Sequence, residues 1–310
     1  MLAVLFGVLA GAMLPLQTSV NTRLRMSVGS PLLASFYSFS VGTLALIVAT
    51  LVATGQVFPA LGLSAGSPWW TYVGGVLGVF VLTGNILLFP RLGGVQTVVL
   101  PIAGQVLMGL AIDAFGLFDS TVVPLSVTRV IGAFAVLLGV LCVVDVFRHP
   151  AKSPDSRQGD PGLWLWRIMG VIMGMAAATQ TAVNGQLGQA LGSAVPAALF
   201  SFATGAAALL LLVLLTRTPF RFRVPEGQER NPAWMWIGGV LGSILVFAGA
   251  FLAPVIGTGA TVVVLLLGMM TGSVLIDTFG LFDSPRRRPQ WPQVLGLAAI
   301  ISGVVLIRIV

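Results

Sequence analysis

The residues best equipped for chemistry in this chain are carboxamides set deep in apolar sequence. Gln17 and Asn21 lie four apart, as do Gln180 and Asn184, so each pair shares one face of a helix. Thr97, Pro101 and Gln105 repeat that spacing in VQTVVLPIAGQVLMGLAID, with Gln96 beside them and Asn85 in the run before. A carboxamide offers donors and an acceptor without charge. Facing the interior of a helix bundle, such groups would hold the polar part of a small molecule. The alternative is plain interhelical hydrogen bonding, worth about 0.6–2 kcal/mol each. Gln17, Asn21, Asn85, Gln96, Gln105, Gln180 and Asn184 are the candidate substrate-binding set. Pro101 is expected to break its helix and free a carbonyl one turn earlier.

Carboxylates are few and oddly placed. Asp113 and Asp277 end two apolar runs, inside a phrase written twice, IDAFGLFDS (Ile112–Ser120) and IDTFGLFDS (Ile276–Ser284). A negative charge at a helix C-terminus opposes the helix dipole and needs a reason. One reason is ion coupling at the membrane edge, with a carboxylate that takes up and releases protons. The other is a structural turn, in which Asp119 and Asp283 bond backbone amides near the next helix and Asp113 pairs with Arg129. The turn is the preferred reading.

Other chemistry is excluded by what is missing. There is no G-x-x-x-x-G-K-[ST] for nucleotide phosphates and no G-x-S-x-G elbow. The lone His149 sits in a charged segment, away from Cys142, so no metal site and no cofactor are expected. An enzyme is not expected.

The elements that must carry these residues are set by composition. Of 310 residues, 57% are hydrophobic and 8% charged, and the mean hydropathy is +1.02. No soluble protein of this size can hide that much apolar surface, so the solvent is mostly lipid. The net charge of +7 does not mark a nucleic-acid binder, because the basic residues fall between apolar runs and not on one face. Ten runs are long enough to span a bilayer: 2–22, 31–53, 69–89, 95–113, 127–147, 164–186, 195–215, 233–253, 258–276 and 293–310. MLAVLFGVLAGAMLPL lacks a basic leader and is expected to stay as the first span. Trp69, Trp70, Trp164, Trp166, Trp234, Trp236 and Trp291 near span starts are expected as interface anchors.

The chain is also written twice. LQTSVNTRL (Leu16–Leu24) answers to TQTAVNGQL (Thr179–Leu187), GSPLLASFYSFSVG (Gly29–Gly42) to GSAVPAALFSFATG (Gly192–Gly205), and GGVLG (Gly74–Gly78) to GGVLG (Gly238–Gly242), at an offset of 163 or 164 residues. Gly132 and Gly139 answer to Gly296 and Gly303. The expected organisation is a first five-helix repeat (1–146), a charged cytoplasmic linker (147–163) and a second five-helix repeat (164–310). An odd number of helices per copy turns the second upside down. Of 16 Lys and Arg, all but Arg129 and Arg308 fall on one set of connections, which the positive-inside rule makes cytoplasmic, so both termini should face the periplasmic or extracellular side. Inverted repeats of this kind suit secondary transporters. The copies differ where Gln96, Pro101 and Gln105 give way to Ala260, Leu265 and Met269, and Asn85 to Gly249, which suits an asymmetric ligand with one polar end.

Ten helices in two inverted halves, a Q-x-x-x-N ending the first helix of each, then G-S and S-F-x-x-G, resemble the drug/metabolite transporter superfamily. More narrowly the chain resembles a bacterial inner-membrane branch in which five-helix units occur as pairs and as fused antiparallel proteins. The resemblance implies an all-α integral membrane protein of the inner membrane that moves a small metabolite or xenobiotic across it, with the direction left open; a monomer or homodimer is expected. Small multidrug exporters of the superfamily carry a membrane-embedded glutamate in their first helix. Here Gln17 and Gln180 stand in that region, and Glu226 and Glu229 lie in a loop, which argues against proton-coupled export of cationic drugs. The rival functions are an ion or small-solute channel and a non-transporting membrane scaffold.

Overall fold

Backbone in hydrocarbon can bond only to itself, so long apolar runs should close into helices. The computed structural model describes residues 2–56, 68–143, 162–224, 230–279 and 291–308. Among these residues the fold is all helical, with no strand. The first copy of the repeat supplies α1 (Leu2–Val28), α2 (Pro31–Thr54), α3 (Gly74–Phe115) and α4 (Val127–Val143). The second supplies α5 (Leu163–Ala190), α6 (Ala194–Leu215), α7 (Gly238–Ile256), α8 (Thr258–Phe279) and α9 (Trp291–Arg308). By length and composition Leu2–Val28, Pro31–Thr54, Ala194–Leu215 and Ala233–Ile256 can cross a membrane, and five further stretches are apolar but shorter.

The repeated G-S pairs explain the first turn of each copy. Gly29 and Gly192 take φ of 72° and 67°, the left-handed conformation that ends a helix and favours glycine. The next helix then starts at once, on Pro31 in its first position or under Ser193, whose side chain accepts from the Val195 amide. Each GGVLG follows a short 3-10 turn, Trp69–Tyr72 or Ala233–Trp236.

The expected spans at 69–89 and 95–113 fall largely within one element, α3, which continues past Pro101. It is nevertheless not one straight rod. A Cβ at Gly170 of α5 would meet both Leu88 at 3.6 Å and Leu100 at 3.0 Å. At 1.5 Å per residue a straight helix would hold those leucines about 18 Å apart. The chain therefore doubles back between them, and α3 is two legs lying against α5. Pro101 does not end the second leg; its carbonyl rests against Gly174 of α5. In the second copy the same reversal is an open break, at Gly257 with φ of 84° between α7 and α8.

Helices from different copies interlock through glycine. Gly11 of α1 lies on the Leu265 carbonyl of α8, and Gly268 of α8 on the Val8 carbonyl of α1. The other copy repeats this with Gly174 on the Pro101 carbonyl and Gly104 on the Val171 carbonyl. Small residues let backbones approach this closely, which is how helices gain packing energy in lipid. α2 packs on α6 through stacked Phe39 and Phe202, ring centres 4.8 Å apart. Leu33 and Ala34 near the start of α2 cluster with Val213 near the end of α6, so the two run antiparallel. α4 and α9 are antiparallel too: Gly132 faces Gly303 and Ile307, while Gly303 faces Gly132 and Val136. Gly174→Ala should cost about 1–3 kcal/mol through overpacking against backbone that cannot rotate away. Val52→Ala, at a position 83% exposed, should not change stability. Thermal unfolding of the two purified variants in one detergent makes the comparison.

Candidate functional site

The four amides of the first helices do not gather at one point. Each copy sends its pair to the other copy's GGVLG. Asn21 and Gln17 on α1 face Gly238 and Gly242 at the start of α7, while Asn184 and Gln180 on α5 face Gly74 and Gly78 at the start of α3. The four-residue spacing of the amides meets the four-residue spacing of the glycines, one helical turn on each side. The Oδ1 atoms of Asn21 and Asn184 are buried without a hydrogen-bond partner. They sit over the first residue of a helix, where unpaired N–H groups leave partial positive charge that favours an oxygen. Asn184 also donates through Nδ2 to Ser201 Oγ at 3.3 Å. Gln17 and Gln180 remain half-buried, as does Gln105 on the second leg of α3. The side chains of Asn85, Gln96 and Asp277 lie outside the described ones.

Asp113 has a precise set of partners. It is fully buried and forms an ion pair of 2.7 Å with Arg129, itself 2% exposed. It also accepts the Thr258 amide on Oδ1 at 2.7 Å and the Gly259 amide on Oδ2 at 3.0 Å. The charge at the end of α3 thus serves the N-terminus of α8, where the dipole favours it. Arg129 is held in turn by the Val123 carbonyl at 2.7 Å. One carboxylate joins the end of α3, the start of α4 and the start of α8.

The rest of the repeated phrase is a turn. Phe118 and Asp119 take φ of 58° and 55°, and Gln186 of α5 donates to the Asp119 carbonyl at 3.0 Å. The expected cap by the Asp119 side chain is not formed: that residue is exposed, and Ser126 Oγ accepts the Arg129 amide at 3.2 Å instead. Three residues separate Ser126 from Arg129, the reach of a side-chain cap, whereas Asp119 lies too far upstream. Asp283 lies outside the described residues.

A second polar junction was not anticipated from the sequence. Arg23 donates to Ser27 Oγ at 2.7 Å and to Asn231 Oδ1 at 3.1 Å, and Asn231 returns a bond to the Arg223 carbonyl at 3.1 Å. The four-residue spacing of Arg23 and Ser27 is its only sequence trace. Among the described residues no three of His, Cys, Asp and Glu come together as a metal site would need.

Asp113→Ala would strand the Arg129 charge in a buried place, at a cost of about 3–5 kcal/mol. Asp113→Asn with Arg129→Gln should recover part of that loss, because no unpaired charge remains. A double-mutant cycle on chemical or thermal unfolding checks both statements.

The comparisons with known proteins agree with this architecture. One crystal structure, described only as that of a protein, superposes with a TM-score of 0.69 at 16% identity over 98% of this chain and 94% of its own; at that identity the likeness speaks for the fold alone. No curated protein matches. The model of one family, "Putative inner membrane exporter, YdcZ", matches residues 2–142 and 165–306. With nearly its whole length matched, the chain belongs to this family of drug/metabolite transporters of the bacterial inner membrane.

Proposed function

We propose that the protein is a secondary transporter that moves a small metabolite or xenobiotic out across the inner membrane by alternating access. The observation that carries this reading is the reciprocity between copies. Gly11 on Leu265 is answered by Gly174 on Pro101, and Asn21 over Gly238 by Asn184 over Gly74. Two bodies exchanged by such a pseudo-two-fold can trade conformations and open a central path to each side in turn. Inverted insertion is supported by the antiparallel contacts of α2 with α6 and of α4 with α9, each the same element of the two copies. Ten spans are supported if the two legs of α3 count separately. The arginine distribution favours both termini outside.

In this reading Gln17, Gln180 and Gln105 line the route, joined by Asn85 and Gln96 from the polar copy, while Asn21 and Asn184 latch the helices that shape it. Asp113 is a structural tie, and coupling is left to Asp277 or to no ion at all. Purified protein in liposomes, screened with labelled polar metabolites, should show saturable flux. Gln105→Ala should reduce that flux about three- to tenfold, the worth of one neutral hydrogen bond. Steady ion current without saturation would identify a channel and overturn the proposal. Orientation has its own test. With Cys142→Ser as background, an impermeant maleimide added to intact cells should label Thr121→Cys and spare Arg221→Cys; the reverse pattern sinks the assigned topology.

A further inference from the structure

The connection from α6 towards α7 begins RTPFRFR (Arg217–Arg223), a stretch used neither by the candidate route nor by the buried ion pair. It is tied down at one end of the bundle. The Arg223 amide donates to the Ser27 carbonyl at 2.9 Å, and Asn231 Nδ2 donates to the Arg223 carbonyl at 3.1 Å. Asn231 is itself held by Arg23 and Ser27. These bonds join the end of α1 to the approach to α7, just after α6 has ended at Leu215. With the helices in a bilayer, such a meeting of helix ends falls at the level of the lipid headgroups.

The aromatic residues of the stretch dock on the bundle. Phe220 meets Phe36 edge-on, ring centres 6.3 Å apart, and Phe222 stacks on Trp236 at 5.8 Å. Tyr37 touches both Phe36 and Trp236, so the rings form one continuous platform. Even so, Phe220 and Phe222 stay 54% and 56% exposed, and each presents aromatic surface as well as covering it. Arg217, Arg221 and Arg223 are exposed too, and none forms an ion pair with a described residue. Arg217 takes φ of 49° just past α6, a place where glycine is the usual residue. Between 217 and 230 the chain has four arginines and two glutamates, so the connection is net positive.

Exposed rings beside exposed arginines fit a surface that is apolar below and anionic above. Rings settle at the hydrocarbon boundary, and a guanidinium forks onto phosphate oxygens. A soluble anion would satisfy the arginines and leave the rings in water. A zwitterionic lipid would cover the rings but set its own cation among the arginines. We propose that Arg217–Arg223 is a docking surface for anionic phospholipid. Phe220 and Phe222 lie at the acyl boundary, and Arg217, Arg221 and Arg223 hold the phosphates. The proposal rests on membrane insertion and not on transport, so its failure leaves the transport reading untouched.

The test is thermal unfolding of the purified protein in detergent, titrated with short-chain phosphatidylglycerol, phosphatidylethanolamine, phosphatidylcholine or free glycerol phosphate. Phosphatidylglycerol should raise the midpoint saturably, the other three should do so much less, and about 0.5 M salt should weaken the response. Replacing Arg217, Arg221 and Arg223 together by Gln should raise the half-saturating phosphatidylglycerol concentration about a hundredfold, at roughly fivefold per arginine. The triple change Arg286→Gln, Arg287→Gln and Arg288→Gln removes equal charge from a connection assigned to the same side, and should leave that concentration within about twofold. Equal losses in the two triple variants would reduce the effect to net charge and overturn the docking surface. So would equal stabilisation by phosphatidylglycerol and phosphatidylcholine, or a response that survives loss of the three arginines. A full response to free glycerol phosphate overturns the assignment to lipid.

Discussion

Close approach of backbones is the constraint on which this structure rests. Lipid tails are as apolar as leucine, so burying leucine between helices gains little, and helices associate where they can touch along their main chains. The contacts of Gly174 with the Pro101 carbonyl and of Gly11 with the Leu265 carbonyl are of that kind. A methyl group at either glycine would fall inside the neighbouring backbone. These contacts join α1 to α8 and α5 to α3, always across the copies. The chain is therefore not two five-helix bundles side by side. Each copy completes the other, and neither half has a core of its own to retreat to.

Asp113 applies the same logic to polar groups. Gly257 breaks the chain between α7 and α8, which leaves the first amides of α8 without intrahelical partners. Buried, they must find acceptors. Asp113 supplies two oxygens, Arg129 neutralises the charge, and the Val123 carbonyl holds Arg129. The second copy keeps Asp277 but carries Gln293 where the first has Arg129. The cation that neutralises the first carboxylate thus has no counterpart at the equivalent position, so duplication has not preserved charge there.

Much of this was legible in the residues. Apolar runs gave the helices, because hydrocarbon leaves the backbone no other choice, and G-S gave the first turns, because only glycine ends a helix cheaply in the left-handed region. The pairing of Asp113 with Arg129 was open to view as two opposite charges in a sequence that has few. What stayed hidden depends on the other copy. Nothing near Asp113 announces that its second partner is the start of a helix 145 positions later. Nothing near Asn21 announces Gly238, although the matched four-residue spacings of amides and glycines are plain once seen together. Ser126 could have been chosen over Asp119 as the α4 cap on spacing alone.

The two copies are alike in sequence but not in surroundings, and the difference has a direction. Thr181 of α5 packs against α7, within 3.3 Å of a Cβ at Gly249. Its equivalent on α1, Thr18, is exposed, and the residue that answers to Gly249 is Asn85. The sequence thus sets a threonine against a glycine in one copy and against an amide in the other. If transport proceeds as proposed, with the copies inserted in opposite senses, these two positions belong to opposite ends of the route. The small residue would then permit tight closure at one end, and the amide would offer a polar solute donors and an acceptor at the other.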